Sequence, residues 1–415
     1  MTATGDGGRW ALGLAATLLL LLATAGPAAA ARPGYVIPAG QLYSDIPTAR
    51  AVLEQSKIWA PPGTLTRQDI DYVLRLADRY LRPGQPEGRR ATVERTLMVN
   101  AWWYTLRAGA IERSIIRDPD GVLSTYWEGR GFAVNPVATA GRWQKLNAGL
   151  SPERLADALL PYGVQRRWSG RRFTLWEYYD VPDVPGEIRP GASGMAQGRI
   201  AQLMARAYHR TGEARFADAA RGALAAFRVP VDRGGVVSLV AAPGVPSRPW
   251  FVERAYPGAS PWKGAALNGF MVTVLNLDAT APLLSSRPNP RTTGPREQRI
   301  RPRARGTRTA AVLARRLAAE GERTLRRYLP LHDTGSWSLY GLLTPGYAWR
   351  TRLADTGYHC YHVRLLHQLA GQAPGYGFAI WAAKWQRYAT RAGISCARVG
   401  EIEAGPDISG LRPRR

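Results

Sequence analysis

The chain has 415 residues, of which 45% are hydrophobic, enough for one large domain or two modest ones. Its formal net charge is +25, carried by 52 arginines and only four lysines, and it contains just two cysteines. The cysteine count excludes a small disulfide-stapled scaffold, and the positive charge points to an anionic partner.

The first 31 residues have the pattern of a secretory signal. Arg9 precedes a mostly apolar run at 10–25, and small residues follow as far as Ala31. An uncleaved anchor is the alternative, because the run is nearly long enough to cross a bilayer. We therefore expect a secreted or envelope-attached protein. There an acidic polysaccharide is a commoner partner than nucleic acid, and a homodimer is also compatible with the sequence.

Helical patterns dominate the chain after a proline-rich stretch at 32–65, which has no clear period. Apolar residues at three- and four-residue spacing predict amphipathic helices, several with serine or threonine caps or an early proline. The predicted helices lie at 66–81, 91–110, 136–149, 151–163, 193–212, 214–229, 266–281, 310–331, 356–371 and 373–393.

Short stretches with β character interrupt this series. Aromatic and β-branched residues predict a strand at 171–181, and the runs at 236–241 and 248–258 predict a hairpin. The segment 285–309 is rich in arginine and has almost no large apolar residue, so we expect an exposed, disordered insertion.

Helix pairs with short joints predict a mainly α fold. We expect an incomplete (α/α) toroid with inserted β-hairpins, preceded by a short mixed N-terminal region. The predicted divisions are the signal at 1–31, the mixed region at 32–120, the toroid at 121–395 and a tail at 396–415. No strict repeat and no glycine-rich phosphate loop is present in the sequence.

Histidine and cysteine give only weak signals. His359 and His362 are three apart and would share one helix face, but packing or substrate hydrogen bonding is favoured over metal ligation. We expect no metal and no organic cofactor. A disulfide between Cys360 and Cys396 is one alternative, yet Cys360 lies within a predicted helix, and a small buried packing residue is the favoured interpretation.

Four carboxylates lie in aromatic surroundings: Glu128, Glu177, Glu253 and Asp333. Two carboxylates on either side of a sugar ring can hydrolyse a glycosidic bond, so the sequence does not exclude a glycoside hydrolase.

Tyr256, Tyr340 and Tyr358 come from different segments, each close to a glycine or a proline. Singly, each is more simply a core or rim aromatic. Together they suit the inversion of a carbon beside a carboxylate, which needs a base on one face and an acid on the other. Donors that stabilise the enediolate are also required.

Three motifs carry a family resemblance: LNGFM at 267–271, LPLHDTGSWSLY at 329–340 and YHCYHVRLLHQL at 358–369. Weaker matches are the segment at 124–140, SGMAQG at 193–198 and ERAYP at 253–257. In this order they resemble the D-glucuronyl C5-epimerases that act on heparosan-type polysaccharide, with the resemblance running from about Gly121 to Ala370.

This resemblance implies inversion of D-glucuronate to L-iduronate within an acidic polysaccharide. It implies catalytic roles for Tyr256, Tyr340, Tyr358 and the acid Glu253. We expect one arginine, Arg130 or Arg254, to neutralise the substrate carboxylate. Further substrate contacts are expected from side chains in the matched motifs: Gln197, Asn268, Trp337 (next to Ser336), His359 and His362.

Two other functions stay open. A uronate polysaccharide lyase begins with the same proton removal but then expels the 4-linked sugar. A non-catalytic acidic-glycan-binding protein would use the same basic cleft without turnover.

Overall fold

The structure is a computed structural model, and the residues it describes fall into several ranges. These are 34–107, 109–110, 112–141, 149–179, 188–242, 244–256, 265–289, 306–342 and 352–397. The predicted signal at 1–31, the greater part of the predicted insertion (290–305) and most of the tail (398–415) lie outside the described residues.

The N-terminal part combines three helices with a small sheet. The elements are β1 (Gly34–Val36), α1 (Ile46–Ser56), α2 (Leu65–Tyr80), α3 (Glu87–Thr105), β2 (Ile115–Arg117), β3 (Leu123–Trp127) and β4 (Gly131–Val134). The strands are ordered β1-β2-β3-β4, with β1 parallel to β2 and the other pairs antiparallel. The predicted helices α2 and α3 are confirmed, whereas α1 and the β3–β4 hairpin were not predicted.

Caps explain where two of these helices begin. The Asp45 carboxylate accepts a hydrogen bond from the Thr48 N–H at 2.8 Å, which fixes the start of α1. The Thr64 hydroxyl accepts one from the Arg67 N–H and fixes the start of α2. Apolar faces of these helices and the sheet then share a core that includes Leu53, Trp103 and Phe132.

The C-terminal part is mainly helical. Its helices are α4 (Pro136–Gly141), α5 (Pro152–Leu159), α6 (Gly194–Thr211), α7 (Ala214–Ala225), α8 (Leu267–Ser285), α9 (Thr307–Tyr328), α10 (Thr356–Gln372) and α11 (Phe378–Arg391). All of these helices were predicted, although α4 is described only to residue 141. Helix α9 begins inside the segment predicted as a disordered insertion, because Thr307 and Ala310 are buried against the core.

Two-stranded hairpins connect the helices. They are β5 (Gly163–Trp168) with β6 (Arg171–Trp176), β7 (Val237–Ala242) with β8 (Val245–Phe251), and β9 (Leu339–Gly341) with β10 (Arg352–Leu353). The strand predicted at 171–181 is confirmed for residues 171–176, and the hairpin predicted from the runs 236–241 and 248–258 is confirmed with its second strand ending at residue 251.

Helix α8 is the centre of the C-terminal core. It packs against α6, α9 and α10, and almost every residue in its first three turns is buried. Its length and composition would allow it to cross a membrane, but 83% of its most apolar window is buried in the protein, as expected of a core helix. On α9, Gly321 lets the two helices approach, since a Cβ there would lie 2.4 Å from Val274.

A buried ion-pair network joins the two parts. The Glu177 carboxylate, just after β6, accepts hydrogen bonds from Arg89 on α3, from Arg166 on β5 and from the Tyr179 hydroxyl. Burial opposes ionisation of Glu177, but the two guanidinium groups prevail and lower its pKa. Glu177 therefore has a structural role, and this removes it from the candidate hydrolase carboxylates.

The favoured interpretation of Cys360 as an unpaired packing residue is wrong. Cys360 on α10 forms a disulfide with Cys396, with the two Cα atoms 5.0 Å apart. Both cysteines are buried in a small cluster with Ala389 of α11. The pairing was not foreseen because sequence does not reveal that the chain after α11 folds back along α10.

Candidate active site

Backbone pairing brings the starts of three helices together. Residues 252–256, which follow β8, lie against the start of α6, and the start of α8 lies against β9. Strand β10 pairs with β9 and leads directly into α10. The predicted residues Glu253, Tyr256, Asn268, Tyr340 and Tyr358 all belong to these segments.

The segment after β8 is held firmly at both ends. The Gly194 N–H donates to the Val252 carbonyl at 2.7 Å, and Ala192 and Ala255 exchange hydrogen bonds of 2.7 and 2.8 Å. The Tyr256 side chain is only 5% exposed. The positions of Glu253 and Tyr256 are thus set by paired backbone and do not depend on a free loop.

Glu253 lies directly against the first turn of α8. A Cβ built on Gly269 would be 2.9 Å from Glu253 Oε2, so only glycine leaves this carboxylate where it is. Ala266, the residue before α8, has no side chain that can cap the helix. The free backbone N–H groups at a helix start favour a nearby carboxylate, and Glu253 is in a position to serve in this way.

Asn268 lies one residue before Gly269 and is 2% exposed. No described residue donates a hydrogen bond to its buried Oδ1 atom. A buried acceptor without a partner costs about 1–3 kcal/mol, so such an atom calls for a ligand or water to complete it.

Tyr340 and Tyr358 are in direct contact. Their ring centroids are 4.6 Å apart in an edge-to-face arrangement, and both side chains are partly exposed. Ala266 pairs with Gly341, which places Tyr340 beside the start of α8. Asp355 caps α10 by accepting from the Tyr358 N–H at 2.8 Å, which fixes the point where Tyr358 leaves the helix.

A layer of buried histidines lies behind these phenols. His359 Nε2 donates to the Trp385 carbonyl, so Nδ1 of the neutral ring accepts from both the N–H and the hydroxyl of Ser338. The Ser338 oxygen then accepts from His362 Nδ1–H at 3.0 Å. Burial lowers the pKa of both histidines, which keeps them neutral.

The side chains predicted to support the site differ in how deeply they are buried. His359 and His362 are fully buried and form a backing on α10, and their contact with substrate stays a prediction. Trp337 is half-buried, stacks on His359 with centroids 3.6 Å apart, and donates its N–H to the Ala354 carbonyl. The leucines that follow Val363 are buried behind this layer, as predicted.

Three other predicted residues have different surroundings. Gln197 is fully buried, and its amide bonds the backbone of Thr174 and Trp176, so it anchors β6. Arg130 lies in the β3–β4 turn of the N-terminal sheet. Arg254, next to Glu253, is exposed.

Asp333 is also removed as a candidate hydrolase carboxylate. It accepts from Lys384 at 2.6 Å and from the indole N–H of Trp385 at 3.1 Å, both on α11. These bonds hold α11 to the segment that leads into β9.

Sequence reasoning missed Ser338, Gly269 and the Asp333–Lys384 pair. Ser338 and the next residue, Leu339, are both buried, so no alternation in the sequence marked the serine as inward-facing. Lys384 was conspicuous as one of only four lysines. Among the described residues, no group of three or more His, Cys, Asp or Glu side chains is placed to hold a metal ion.

The fold and site thus define a mainly helical protein with phenols and a carboxylate gathered at helix starts. Residues 176–387, a little over half of the chain, match the family described as D-glucuronyl C5-epimerase C-terminus. The chain belongs to this family.

Two relatives extend the comparison. The chain is 29% identical over 198 residues to a D-glucuronyl C5-epimerase of Caenorhabditis elegans, which covers 48% of this chain and 28% of that protein. It is 25% identical over 171 residues to an uncharacterized protein of Methanocaldococcus jannaschii, covering 41% of this chain and 46% of the relative. The chain therefore spans less than half the length of either relative.

Proposed function

We propose that this protein is a uronyl C5-epimerase that inverts D-glucuronate to L-iduronate within an acidic polysaccharide. The contact between Tyr340 and Tyr358, beside a helix start that holds Glu253, is the observation that carries the proposal. The family match across the same segments supports it.

The geometry suggests which groups act on each face of the sugar. Favourable contact between carbon atoms is at about 3.5–4 Å, so a sugar ring between two aromatic rings needs centroids roughly 7–8 Å apart. Tyr340 and Tyr358 are 4.6 Å apart and therefore line the same face. The opposite face falls to the segment of Glu253 and Tyr256.

In this scheme Glu253 removes the C5 proton of glucuronate from one face. Negative charge then develops on the uronate carboxylate, where the exposed Arg254 can stabilise it. Tyr358, with Tyr340 in contact, returns a proton to C5 from the other face. Asn268 Oδ1 would accept a hydrogen bond from a sugar hydroxyl.

Product analysis tests this function against its alternatives. The protein is incubated with a glucuronate polymer such as heparosan, and the product is examined by NMR for iduronate and by ultraviolet absorbance for an unsaturated uronate. We expect iduronate without new absorbance. New absorbance would replace the proposal with a lyase, and binding without either product would replace it with a non-catalytic glycan-binding protein.

We also propose export, with the protein secreted or attached to the cell envelope. The signal-like pattern at 1–31 supports it, and so does the disulfide, since stable disulfides belong mainly to oxidising compartments.

An incomplete toroid remains our proposal for the arrangement of the C-terminal helices. Consecutive helices pack as pairs, α6 with α7 and α10 with α11, which supports that arrangement.

A further inference from the structure

Helix α9 carries an unusual distribution of charge on its outer side. One side packs against α8 and β8, while six exposed arginines occupy the other. At 3.6 residues per turn, these six positions fall within an arc of about 120°. We call this surface the arginine face; it consists of Arg308, Arg315, Arg316, Arg323, Arg326 and Arg327.

No carboxylate lies within that arc. The other positions within the arc are Thr309 and Val312, which are exposed, and Ala319, which is partly buried, whereas Glu320 lies at the edge and Glu322 is buried. Among the described ion pairs, none involves an arginine of this face.

Arginine-rich composition alone does not produce this segregation. On α2 the exposed surface carries Asp78 together with Arg75 and Arg79, and Arg67 pairs with the partly buried Asp71. On α7, Arg221 pairs with Asp218. The same chain thus mixes its charges on other helices.

Folding does not explain the arginine face either. Like charges three or four residues apart, as at Arg323 and Arg327, destabilise a helix by a few tenths of a kcal/mol. A positive charge in the first turn, as at Arg308, also opposes the helix dipole. Arg326 and Arg327 lie in the last turn, where a positive charge is favourable. Helix stability therefore accounts for that end of the face, but not for Arg308 or for the run of like charges along the helix, which binding would explain.

The shape of the face fits a linear polyanion. From Arg308 to Arg327 the helix rises roughly 28 Å, at 1.5 Å per residue. Guanidinium groups bind carboxylate and sulfate in a two-point geometry, and a row of them matches an extended chain of repeating negative charges. A single small anion would occupy only a fraction of this length.

The face is also connected to the candidate active site. Helix α9 ends at Tyr328, and the chain continues through a short helical turn, Leu329–His332, to Asp333 and then to β9, which carries Tyr340. A polymer held along α9 would therefore be kept close to the site.

We propose that the arginine face is a second binding surface for the uronate polysaccharide, outside the catalytic centre. This rests on the proposed function. By holding a distant part of the same chain, the face raises the local concentration of polymer at the site. It should lower KM for long substrates and leave kcat unchanged.

The test compares two triple variants that change the net charge equally. R315E/R316E/R323E reverses the middle of the face, and R75E/R154E/R171E reverses three exposed arginines on three other elements. At about 0.05 M salt we expect the first to raise the Kd for long heparosan by about tenfold or more, and the control much less. The dependence of binding on salt should also weaken in the first variant only.

Chain length separates this surface from the catalytic centre. With short oligosaccharides both variants should turn over within about twofold of wild type, and the defect should appear only as the substrate lengthens. If circular dichroism shows that R315E/R316E/R323E does not fold, R315Q/R316Q/R323Q is used in its place. This neutral variant must show the same dependence on substrate length, with a smaller defect.

Three results would overturn the proposal. First, both triple variants could weaken polymer binding equally. Second, R315E/R316E/R323E could show the same defect with short oligosaccharides as with long heparosan. Third, the face could bind duplex DNA tightly and not bind heparosan. Binding is measured separately from turnover, so the absence of epimerisation would overturn the proposed function and leave the binding result to be judged independently.

Discussion

At the scale of single residues, the site depends on a glycine as much as on the groups that would transfer protons. Gly269 faces the Glu253 carboxylate, and any larger residue has to displace it. The carboxylate is otherwise held between a paired backbone segment and a helix start, so it has little freedom to move aside.

Gly269→Ala should lower kcat by about tenfold, because the Glu253 carboxylate has to shift by a few tenths of an ångström and a full 1 Å in a reacting group can cost about a hundredfold. The free energy of unfolding should not fall in step, since alanine favours a helix over glycine by about 1 kcal/mol. Turnover, its pH profile and urea denaturation check this together.

Gly371→Ala is the matched control. Gly371 lies in the last turn of α10 with open space around its Cα, so this variant gains the same helix preference without touching the site. Unchanged kcat in Gly269→Ala would show that Glu253 need not be where the structure places it.

At the scale of elements, helix α10 is fixed on both sides. Cys360 ties it to the chain after α11, while Ser338 and Trp337 pack onto His359 from the segment before β9. Tyr358 is two residues from the disulfide, so the position of the phenol depends on a covalent link beyond α11.

Removing the disulfide should lower the free energy of unfolding by about 2–4 kcal/mol. The comparison is between wild type and C360A/C396A, each denatured by urea with and without a reductant. Reduction should lower the free energy of unfolding of wild type and leave that of C360A/C396A unchanged. Equal stability of oxidised and reduced wild type would mean that the link contributes nothing.

Sequence predicted most of these elements because their signals are local. Threonine and serine caps and apolar spacing identified α2, α5, α6, α8, α9 and α10, and alternating residues identified the hairpin of β7 and β8. Helix α1 was missed because prolines surround it and its apolar face is short. For the site, the sequence predicted which types of residue take part but not how they are arranged.

Spatial relations within the site were not predictable in the same way. Nothing in the order of residues shows that Tyr340 contacts Tyr358 or that Gly269 faces Glu253, because β9, β10 and the start of α8 meet through long-range pairing. The sequence also did not show that Gln197, His359 and His362 are buried, since polar residues in a motif can satisfy buried backbone as well as contact a substrate.

At the scale of the whole molecule, buried histidines make stability depend on pH. Burial lowers the pKa of His332 to about 4 and lowers the pKa of His359 and His362 in the same direction. Because the folded state binds fewer protons than the unfolded one, this stability is present above about pH 6.5 and is lost as the pH falls towards 4. His332 alone corresponds to about 3 kcal/mol over that interval.

Two buried carboxylates act in the opposite sense. Burial raises the pKa of Asp69 and of Asp118 to about 6, so the folded state takes up their protons before the unfolded state does. The histidine contribution therefore has to be measured as a difference between variants.

His332→Asn retains a donor for the Leu339 carbonyl but cannot titrate. This variant should be less stable than wild type at pH 7, yet it should lose less stability between pH 7 and pH 4.5. His367→Asn, at an exposed position on α10, is the control and should follow wild type. Parallel pH curves for His332→Asn and wild type would remove His332 from the pH dependence.

The central claim is that Tyr358 and the segment of Glu253 act on opposite faces of one uronate. Deuterium uptake at C5 in heavy water, scored separately for glucuronate and iduronate, tests it most directly in Tyr358→Phe, with Tyr376→Phe as the matched control. In Tyr358→Phe the rate of inversion should fall by about 10²–10⁴, the loss expected when a catalytic acid or base is removed. The variant should still exchange the C5 proton of one epimer. Inversion near the wild-type rate in Tyr358→Phe, or equal loss of exchange in both epimers, would contradict it.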